Sequence, residues 1–476
     1  MIFSSLLFLY VFLPAVLAVV LLAPRTWHNY LLLIASLIFY AWGGVSYSVL
    51  LLISIGINYF VGRAIDRHRG TPLARWSMIV GVVLNLLLLG IFKYANLLVG
   101  SLDVLLTAVG WTPIELKPIA LPIGISFFTF QAISYIVDVY DGKASVEKRI
   151  ANVGLYIALF PQLIAGPIVR YREIAQQIVK REMSWAKMSY GIERFVWGLG
   201  KKVLLANTFA VLADDIFAIQ AQNLDPLTAW VGLAFYTLQL YFDFSGYSDM
   251  AIGLGSMLGF RIPENFNFPY ISRSIREFWR RWHITLSMWF RDYVYIKMGG
   301  SRRSVRRTYF NLFVVFVLVG LWHGAAWTFV VFGLIHGIFM VLERIGLERL
   351  LARTWRPVAH VYTMLVFMLS LVVFRTRTIH DSLDYLGAMT GSIEHTGFRF
   401  DLGSYFGIEM WIMTGIGLLA CTPVFRTIHR RALQIDRSGW QRVYTTAGVI
   451  ATLFVFLYCT MNLSMGTYNP FIYYQF

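Results

Sequence analysis

Apolar and polar positions follow one another along this chain in long blocks rather than residue by residue. Apolar runs at residues 6–22, 78–92, 358–374 and 444–458 approach the roughly 20 residues that an α-helix needs to cross a bilayer. Short polar segments, most of them basic, separate the runs. The pattern predicts an all-α protein with about ten to twelve membrane-spanning helices, organised as a single transmembrane domain over residues 1–476.

The apolar runs between residues 150 and 250 are interrupted by glycine, proline and charged residues. Broken helices at membrane depth are tolerated only where protein or a water-filled cavity covers them. We therefore expect an internal chamber in this middle region. The first run, at residues 6–22, has no basic leader and no small-residue cleavage pattern, so we interpret it as a retained helix and not a signal peptide.

Composition supports the membrane interpretation, because 58% of the residues are hydrophobic and only 14% are charged. Soluble domains carry about 25% charged residues. The two cysteines, Cys421 and Cys459, lie in or beside apolar runs without the CxxC spacing of a zinc site. They predict neither a disulfide framework nor a metal site.

The net charge of +16 raises the question of nucleic-acid binding, but the basic residues cluster between the apolar runs. Lys and Arg accumulate in this way in the cytoplasmic loops of membrane proteins. With the clusters inside, segments 309–321, 358–374 and 444–458 cross outward, and 375–405 is external. This topology places both termini on the periplasmic or exterior side and requires no nucleic-acid partner.

Residues 275–295 have the three-to-four spacing of apolar positions that is typical of an amphipathic helix. Arg280 and Arg281 fall largely on its other faces, and segment 273–307 holds ten basic and two acidic residues. Such a helix is expected to lie along the cytoplasmic membrane interface. It is either a simple anchor or a basic surface that attracts a polyanionic molecule such as coenzyme A.

Three of the nine histidines, His283, His323 and His336, fall in apolar surroundings. Ionisable residues are costly at membrane depth, so each of these marks a possible functional site. His323 lies between two apolar runs, and we expect its neighbours Gly320 and Gly324 to leave room for a substrate. Imidazole titrates near neutrality, so it suits proton removal from a hydroxyl that attacks a thioester.

The same histidines do not predict a metal centre, because their spacing matches no ligand motif. Asp243 and Asp249 lie where a span is expected and could order water and arginine around the chamber. Pairing with buried arginine or with the backbone is the simpler interpretation, and we favour it. The chain has no GxSxG, P-loop or GxGxxG motif, which argues against serine hydrolases, ATP-driven transport and dinucleotide binding.

Several longer motifs occur in one order from end to end. They are MIFSS (1–5), FYAW (39–42), FKYAN (92–96), LPIGISF (121–127), QLIAGP (162–167), YFDFSGYSD (241–249), ENFN (264–267), FWRRWH (278–283), LWHG (321–324) and PFIYYQF (470–476). By these motifs the chain resembles the membrane-bound O-acyltransferase (MBOAT) family. Within it, the chain is most similar to the bacterial branch that serves exopolysaccharide O-acetylation.

The resemblance implies a ring of helices around a thinned membrane centre, with a cytoplasmic entrance for acyl-CoA. It implies that His323 is the catalytic residue, that His283 is its usual second residue, and that acetyl-CoA is the donor with no further cofactor. We hypothesise that His323 accepts the proton of the attacking hydroxyl while His283 orients or polarises the thioester. Arg280 and Arg281 would hold the phosphates of coenzyme A. The remaining substrate-site candidates are Trp282, Trp322, Asp243 and Asp249.

Bacterial members of this branch pass acetyl groups across the inner membrane to a polymer hydroxyl or to a periplasmic partner acetyltransferase. Alginate, cellulose and peptidoglycan systems use similar membrane subunits, so the acceptor stays open. His336 receives only a secondary role. A non-enzymatic exporter or flippase, or a scaffold that anchors periplasmic enzymes, would share the spans but would not require His323.

Overall fold

The computed structural model describes residues 1–394, 396–398, 400–435 and 438–470. Within these ranges all regular elements are helices, and none is a strand. Among the described residues, seven helices are long and apolar enough to cross a membrane, or eight if the bent pair Ile408–Ala420 and Val424–Leu433 counts as one span. The predicted multi-pass, all-α architecture is confirmed. His395 and most of the C-terminal motif, residues 471–476, lie outside the described residues.

Helices of seven residues or more follow one another along the described part of the chain. In chain order they are α1 (Phe8–Leu22), α2 (His28–Ala41), α3 (Val45–Arg67), α4 (Pro72–Ala108), α5 (Ile125–Tyr140), α6 (Ile150–Ala158), α7 (Tyr171–Val179), α8 (Trp185–Phe217), α9 (Pro226–Met257), α10 (Ile275–Arg281), α11 (Ile284–Phe290), α12 (Val305–His323), α13 (Trp327–Arg353), α14 (Arg356–Arg375), α15 (Ile379–Thr390), α16 (Ile408–Ala420), α17 (Val424–Leu433) and α18 (Gly439–Ser464).

The number of clear spans is lower than the about ten to twelve expected from apolar runs. Helices α1 and α5 are apolar but shorter than the other spans. Helix α9 is long enough, but polar residues such as Gln239, Asp243 and Asp249 recur along it. These three helices account for the difference between the two counts.

The chain packs as two compact units, Met1–Gly191 with Ala251–Pro263 and Ile192–Met250 with Glu264–Phe476. In the first unit, α3 and α4 are joined by Asn58 and Asn85, whose buried side-chain amides donate to each other's oxygens at 3.1 and 2.9 Å. A Cβ at Gly62 would lie 2.5 Å from Tyr135 Oη, so the glycine lets α3 approach α5 closely. Small residues and interhelical hydrogen bonds are how helices associate in lipid.

In the second unit, α13 runs antiparallel to α12 and α14, and the three helices define two ends. The end that we call the basic end carries Arg306 and Arg307 at the start of α12 and Arg356 at the start of α14. The opposite end, the far end, carries His323 and Arg375, the last residues of α12 and α14. Helix α12 has 19 residues, so the two ends lie about 28 Å apart along it.

Segment 275–295, predicted as one helix along the interface, is broken at Trp282 and His283 into α10 and α11. Successive residues of this segment contact positions that lie farther and farther from the basic end. The partners in order are Ile275 with Glu343 of α13, Trp279 with His336 of α13, Trp282 with Phe367 of α14, and His283 with Trp322 of α12. The prediction of a continuous helix was wrong, and α10 runs into the unit from the basic end.

Glu343 anchors the first turn of α10. Its carboxylate accepts hydrogen bonds from the backbone N–H groups of Ile275 (2.6 Å) and Arg276 (2.9 Å), and from Tyr362 Oη (3.2 Å). Only 2% of Glu343 is exposed. The first N–H groups of a helix have no partner within the helix, so this carboxylate supplies one.

We expect Glu343→Ala to lower the free energy of unfolding by about 1–3 kcal/mol, because it leaves one buried and one partly buried N–H group without an acceptor. Turnover should also fall, because α10 carries the chain to His283. Thermal unfolding of the purified protein measures the first effect. The matched control is Glu348→Ala, which removes a more exposed ion pair with Arg276 and should cost less than about 1 kcal/mol. Equal melting temperatures for the two variants would contradict the anchoring role.

Candidate active site

His283 lies at the break between α10 and α11, with its backbone in the left-handed region (φ 42°) and its side chain fully buried. The break turns the imidazole toward α9 and α12. Its ring lies edge-on to Phe244 of α9, with ring centroids 4.7 Å apart, and 5.5 Å from the centroid of Trp322.

The two ring nitrogens of His283 have different surroundings. Nδ1 lies 3.2 Å from Asn265 Oδ1, whereas Nε2 is buried and has no hydrogen-bond partner in the described part of the chain. Burial, with a smaller contribution from the neighbouring His323, lowers the pKa of His283 well below its usual value. An imidazolium would also leave a second N–H buried at Nε2 without an acceptor, so the burial favours the neutral ring, which presents an unoccupied nitrogen.

His323 is the last residue of α12, at the far end of the second unit, and is half-buried. Its Nδ1 lies 2.7 Å from the carbonyl oxygen of Val319, one turn earlier in the same helix. Phe332 and Phe374 pack edge-on to the imidazole, with centroids 5.6 and 5.5 Å away. The aromatic rings fix the plane of the imidazole and reduce the water around it.

Trp322 brings the two histidines together. Its ring centroid lies 5.5 Å from that of His283 and 5.1 Å from that of His323, and the indole is almost completely buried. The structure thus gathers His283, His323 and Trp322, three residues singled out from the sequence, at one place.

Gly320 and Gly324, the glycines beside His323, were expected to leave room for a substrate, but they lie against α13. A Cβ on Gly320 would lie 2.2 Å from the carbonyl oxygen of Phe329, and one on Gly324 would lie 2.1 Å from the Phe329 ring. Both positions are filled by α13 and not open to a substrate. The expectation that these glycines leave room for substrate was wrong; they allow α12 and α13 to pack closely.

His336 is fully buried and engaged at both nitrogens. Trp279 Nε1 donates to its Nδ1 at 3.2 Å, and its Nε2 lies 3.0 Å from Ser370 Oγ. Because an indole N–H can only donate, Nδ1 is the acceptor and Nε2–H donates to the serine. This histidine links α10, α13 and α14 as a structural residue.

Arg280 and Arg281, the two arginines proposed to bind coenzyme A, differ in their interactions with the rest of the protein. Arg281 forms an ion pair with Glu277 at 2.9 Å and donates to the carbonyl oxygen of Asn267 at 3.1 Å. Arg280 is exposed and has neither an ion pair nor a hydrogen bond in the described part of the chain. Of these two arginines, only Arg280 therefore has a guanidinium that is available to bind an anionic ligand.

Trp282 is buried in a cluster of aromatic side chains. Its neighbours are Tyr241, Phe244, Phe266, Tyr270, Phe278 and Phe367. The cluster fixes the end of α10 against α9 and α14. Through it, Trp282 supports the position of the adjacent His283.

Asp243 and Asp249 on α9 both form ion pairs, as favoured from the sequence. Lys202 Nζ lies 2.5 Å from Asp243, and each side chain is 3% exposed. Asp249 is held at 2.6 Å by both Arg194 and Lys201. Among the described residues, no group of three or more His, Cys, Asp or Glu side chains could hold a metal ion.

The sequence interpretation did not single out Asn265 or Thr285, which contact each other next to His283. Asn265 lies in one of the quoted motifs, but its position 18 residues before His283 gives no periodic signal. Glu277 and Arg281 are four residues apart on a helix, and that spacing could have indicated that Arg281 is already paired.

Comparisons with known proteins identify the family. A model of the MBOAT, membrane-bound O-acyltransferase family, matches residues 143–374, which include His283 and His323. The chain is 41% identical to the probable alginate O-acetylase AlgI of Pseudomonas putida over the full length of both proteins. The chain belongs to the membrane-bound O-acyltransferase family. As a family member it is an O-acyltransferase, so the exporter and scaffold alternatives are set aside.

Other membrane-bound O-acyltransferases are similar over most of the chain. The probable alginate O-acetylase AlgI of Pseudomonas aeruginosa is 47% identical over 80% of this chain and 73% of its own length. The peptidoglycan O-acetyltransferase of Helicobacter pylori is 35% identical over 78% of this chain and 74% of its own length. The names of these two relatives thus give two different acceptors, alginate and peptidoglycan.

Proposed function

We propose that this membrane-bound O-acyltransferase takes acetyl groups from cytoplasmic acetyl-CoA and passes them across a bacterial inner membrane for O-acetylation of an exported polysaccharide. The observation that carries the proposal is the pair of imidazoles, His283 and His323, on one buried indole. Alginate is the first acceptor to test, because the relatives similar over the full chain are named for it. Cellulose and peptidoglycan are the alternatives.

In the reaction, the acceptor oxygen forms a bond to the thioester carbonyl carbon, and the carbon–sulfur bond to coenzyme A breaks. His323 takes the proton of the attacking hydroxyl and returns it to the departing thiolate. An imidazole can do both, because its ring nitrogen can accept a proton and later donate it. The acceptor hydroxyl belongs either to the polymer itself or to a periplasmic partner that completes the transfer.

Arg280 is the residue that we assign to the phosphates of coenzyme A. Its neighbour Trp279 donates a hydrogen bond to His336 of α13, and Trp282 packs against Phe367 of α14. Arg280 therefore lies at a level between the two ends of α13 and α14. A guanidinium in such a position costs about 2.5–3.5 kcal/mol in lipid and therefore requires water or an anion. Exposed arginines at the basic end, including Arg306 and Arg307, would attract the donor electrostatically.

We expect Arg280→Gln to raise the KM for acetyl-CoA about tenfold or more with a smaller change in kcat, because a hydrogen bond to a charged group contributes about 1.5–3 kcal/mol. The control is Arg430→Gln, which neutralises an exposed arginine on α17. The measurement is release of free thiol from acetyl-CoA by purified protein. An unchanged KM in the Arg280 variant would remove this residue from the donor site.

The function itself is tested by incubating the purified protein, alone and in membranes of its own host, with radiolabelled acetyl-CoA and alginate, cellulose or peptidoglycan. Label on one polymer as alkali-labile ester supports the proposal and names the acceptor. Failure of acetyl-CoA to donate under both conditions would refute it.

A further inference from the structure

The amide of Asn265 has an orientation that its neighbours define. Its Oδ1 accepts from the backbone N–H of Thr285 at 3.2 Å and from Thr285 Oγ1 at 2.8 Å. A backbone N–H can only donate, so the atom that faces it must be the amide oxygen. The amide nitrogen, on the other side, donates to Ser248 Oγ at 3.2 Å. All these groups are buried.

The same Oδ1 lies 3.2 Å from Nδ1 of His283. Because the amide oxygen has no proton, Nδ1 of the imidazole must carry one and donate it. In a neutral imidazole only one nitrogen is protonated, so Nε2 is left with a bare lone pair. This is the nitrogen that is buried without a hydrogen-bond partner in the described residues.

A bare Nε2 can accept a hydrogen bond but cannot donate one. It therefore cannot polarise the thioester carbonyl, whose oxygen needs a donor, but it can receive the hydrogen of a hydroxyl. We propose that Asn265 is a positioning residue that holds His283 as the Nδ1–H tautomer, so that Nε2 receives a hydrogen bond from a hydroxyl of the acceptor and orients that substrate for His323. This inference rests on the proposed function and replaces thioester polarisation as the role of His283.

The tautomer can be measured without any activity. Protein labelled with ¹⁵N-histidine, compared with the His283→Gln variant, isolates the two nitrogen signals of His283. We expect an unprotonated Nε2 in the unmodified protein and a shift toward protonated Nε2 in Asn265→Ala. A protonated Nε2 in the unmodified protein would overturn the proposal.

Kinetics test the consequence, with alginate oligosaccharide as the acceptor probe. In Asn265→Ala we expect kcat/KM for the acceptor to fall about 10- to 100-fold, as when the partner behind a histidine ligand is removed. The KM for acetyl-CoA should stay unchanged. The control is Asn267→Ala, an exposed asparagine of the same loop. A rise in the donor KM with an unchanged acceptor KM would contradict the assignment to the acceptor.

Asn265→Asp gives a distinct pH signature. A carboxylate beside Nδ1–H raises the pKa of His283 from its depressed value, because an opposite charge favours the imidazolium. Below the raised pKa, Nε2 is protonated and cannot accept, so the acid limb of kcat/KM should move upward by about one unit or more and activity should recover at higher pH. A purely structural role would lower the amount of folded enzyme without moving this limb.

These results separate the inference from the function on which it rests. If the unmodified protein fails to use acetyl-CoA, the proposed function fails, and the ¹⁵N signals still decide the tautomer. If the protein transfers acetyl groups and both Asn265 variants keep the native acceptor kinetics and pH profile, the positioning role fails alone. Should Asn265→Ala not fold, Ser248→Ala loosens the same amide, and we expect a weaker change of the same kind.

Discussion

Replacing His323 with alanine is expected to lower acyl transfer by about 10²–10⁴-fold, the contribution of a general base to an enzymatic rate. The variant removes the imidazole that Phe332 and Phe374 hold at the far end of α12. The helix backbone should be preserved, because alanine favours helices and the residue is only half-buried. The assay is thiol release from acetyl-CoA by protein with a verified melting temperature.

The control for this variant is His380→Ala. His380 is highly exposed and pairs with Asp384 on the same helix, so its removal should leave turnover unchanged. Native turnover by folded His323→Ala would show that this histidine is not the base. Loss of activity in both variants would indicate a general effect of removing a histidine and not a catalytic role.

The largest stability effect is expected at the ion pair between Lys202 and Asp243. Both side chains are 3% exposed, and Lys202 also donates to the carbonyl oxygen of Pro470. Asp243→Asn leaves the lysine charge buried without its counter-charge, which typically costs about 3–5 kcal/mol. We expect a lowered melting temperature and reduced yield of folded protein.

The double variant Lys202→Met with Asp243→Leu should recover much of this loss, because removing both charges together leaves none unpaired. Asp66→Asn serves as the matched control, since its pair with Arg69 is exposed and should contribute less than about 1 kcal/mol. If the single Asp243→Asn variant has the same melting temperature as the unmodified protein, the ion pair is not required for stability.

The sequence predicted the membrane class and the all-α fold, because long apolar runs are local properties of the chain. The pairing of His283 with His323 was implied by the resemblance to the family and not by the pattern of residues. The sequence could not predict the break between α10 and α11. Nothing in the periodicity of residues 275–295 distinguishes Trp282 and His283 from helical positions. The break is fixed by distant groups: Ile284 N–H donates to the carbonyl oxygen of Asn265, and Asn267 N–H donates to that of Arg281.

The expectation that the glycines beside His323 leave room for a substrate was wrong for a related reason. Their neighbours in sequence suggest open space, whereas the atoms that fill this space belong to α13. Whether a glycine faces a substrate or another backbone is decided by the tertiary partner. For the arginines, by contrast, a local signal was present and was not used: Glu277 lies four residues before Arg281, the spacing of an ion pair on a helix.

The left-handed backbone at His283 limits how this enzyme could change its chemistry. At a positive φ, side chains branched at Cβ are strongly disfavoured, whereas asparagine and glycine are tolerated. Among polar residues, asparagine could thus replace the imidazole with little cost in backbone strain and would offer an amide N–H as a donor. One substitution would exchange an acceptor of hydrogen bonds for a donor, while the surrounding helices stay as they are.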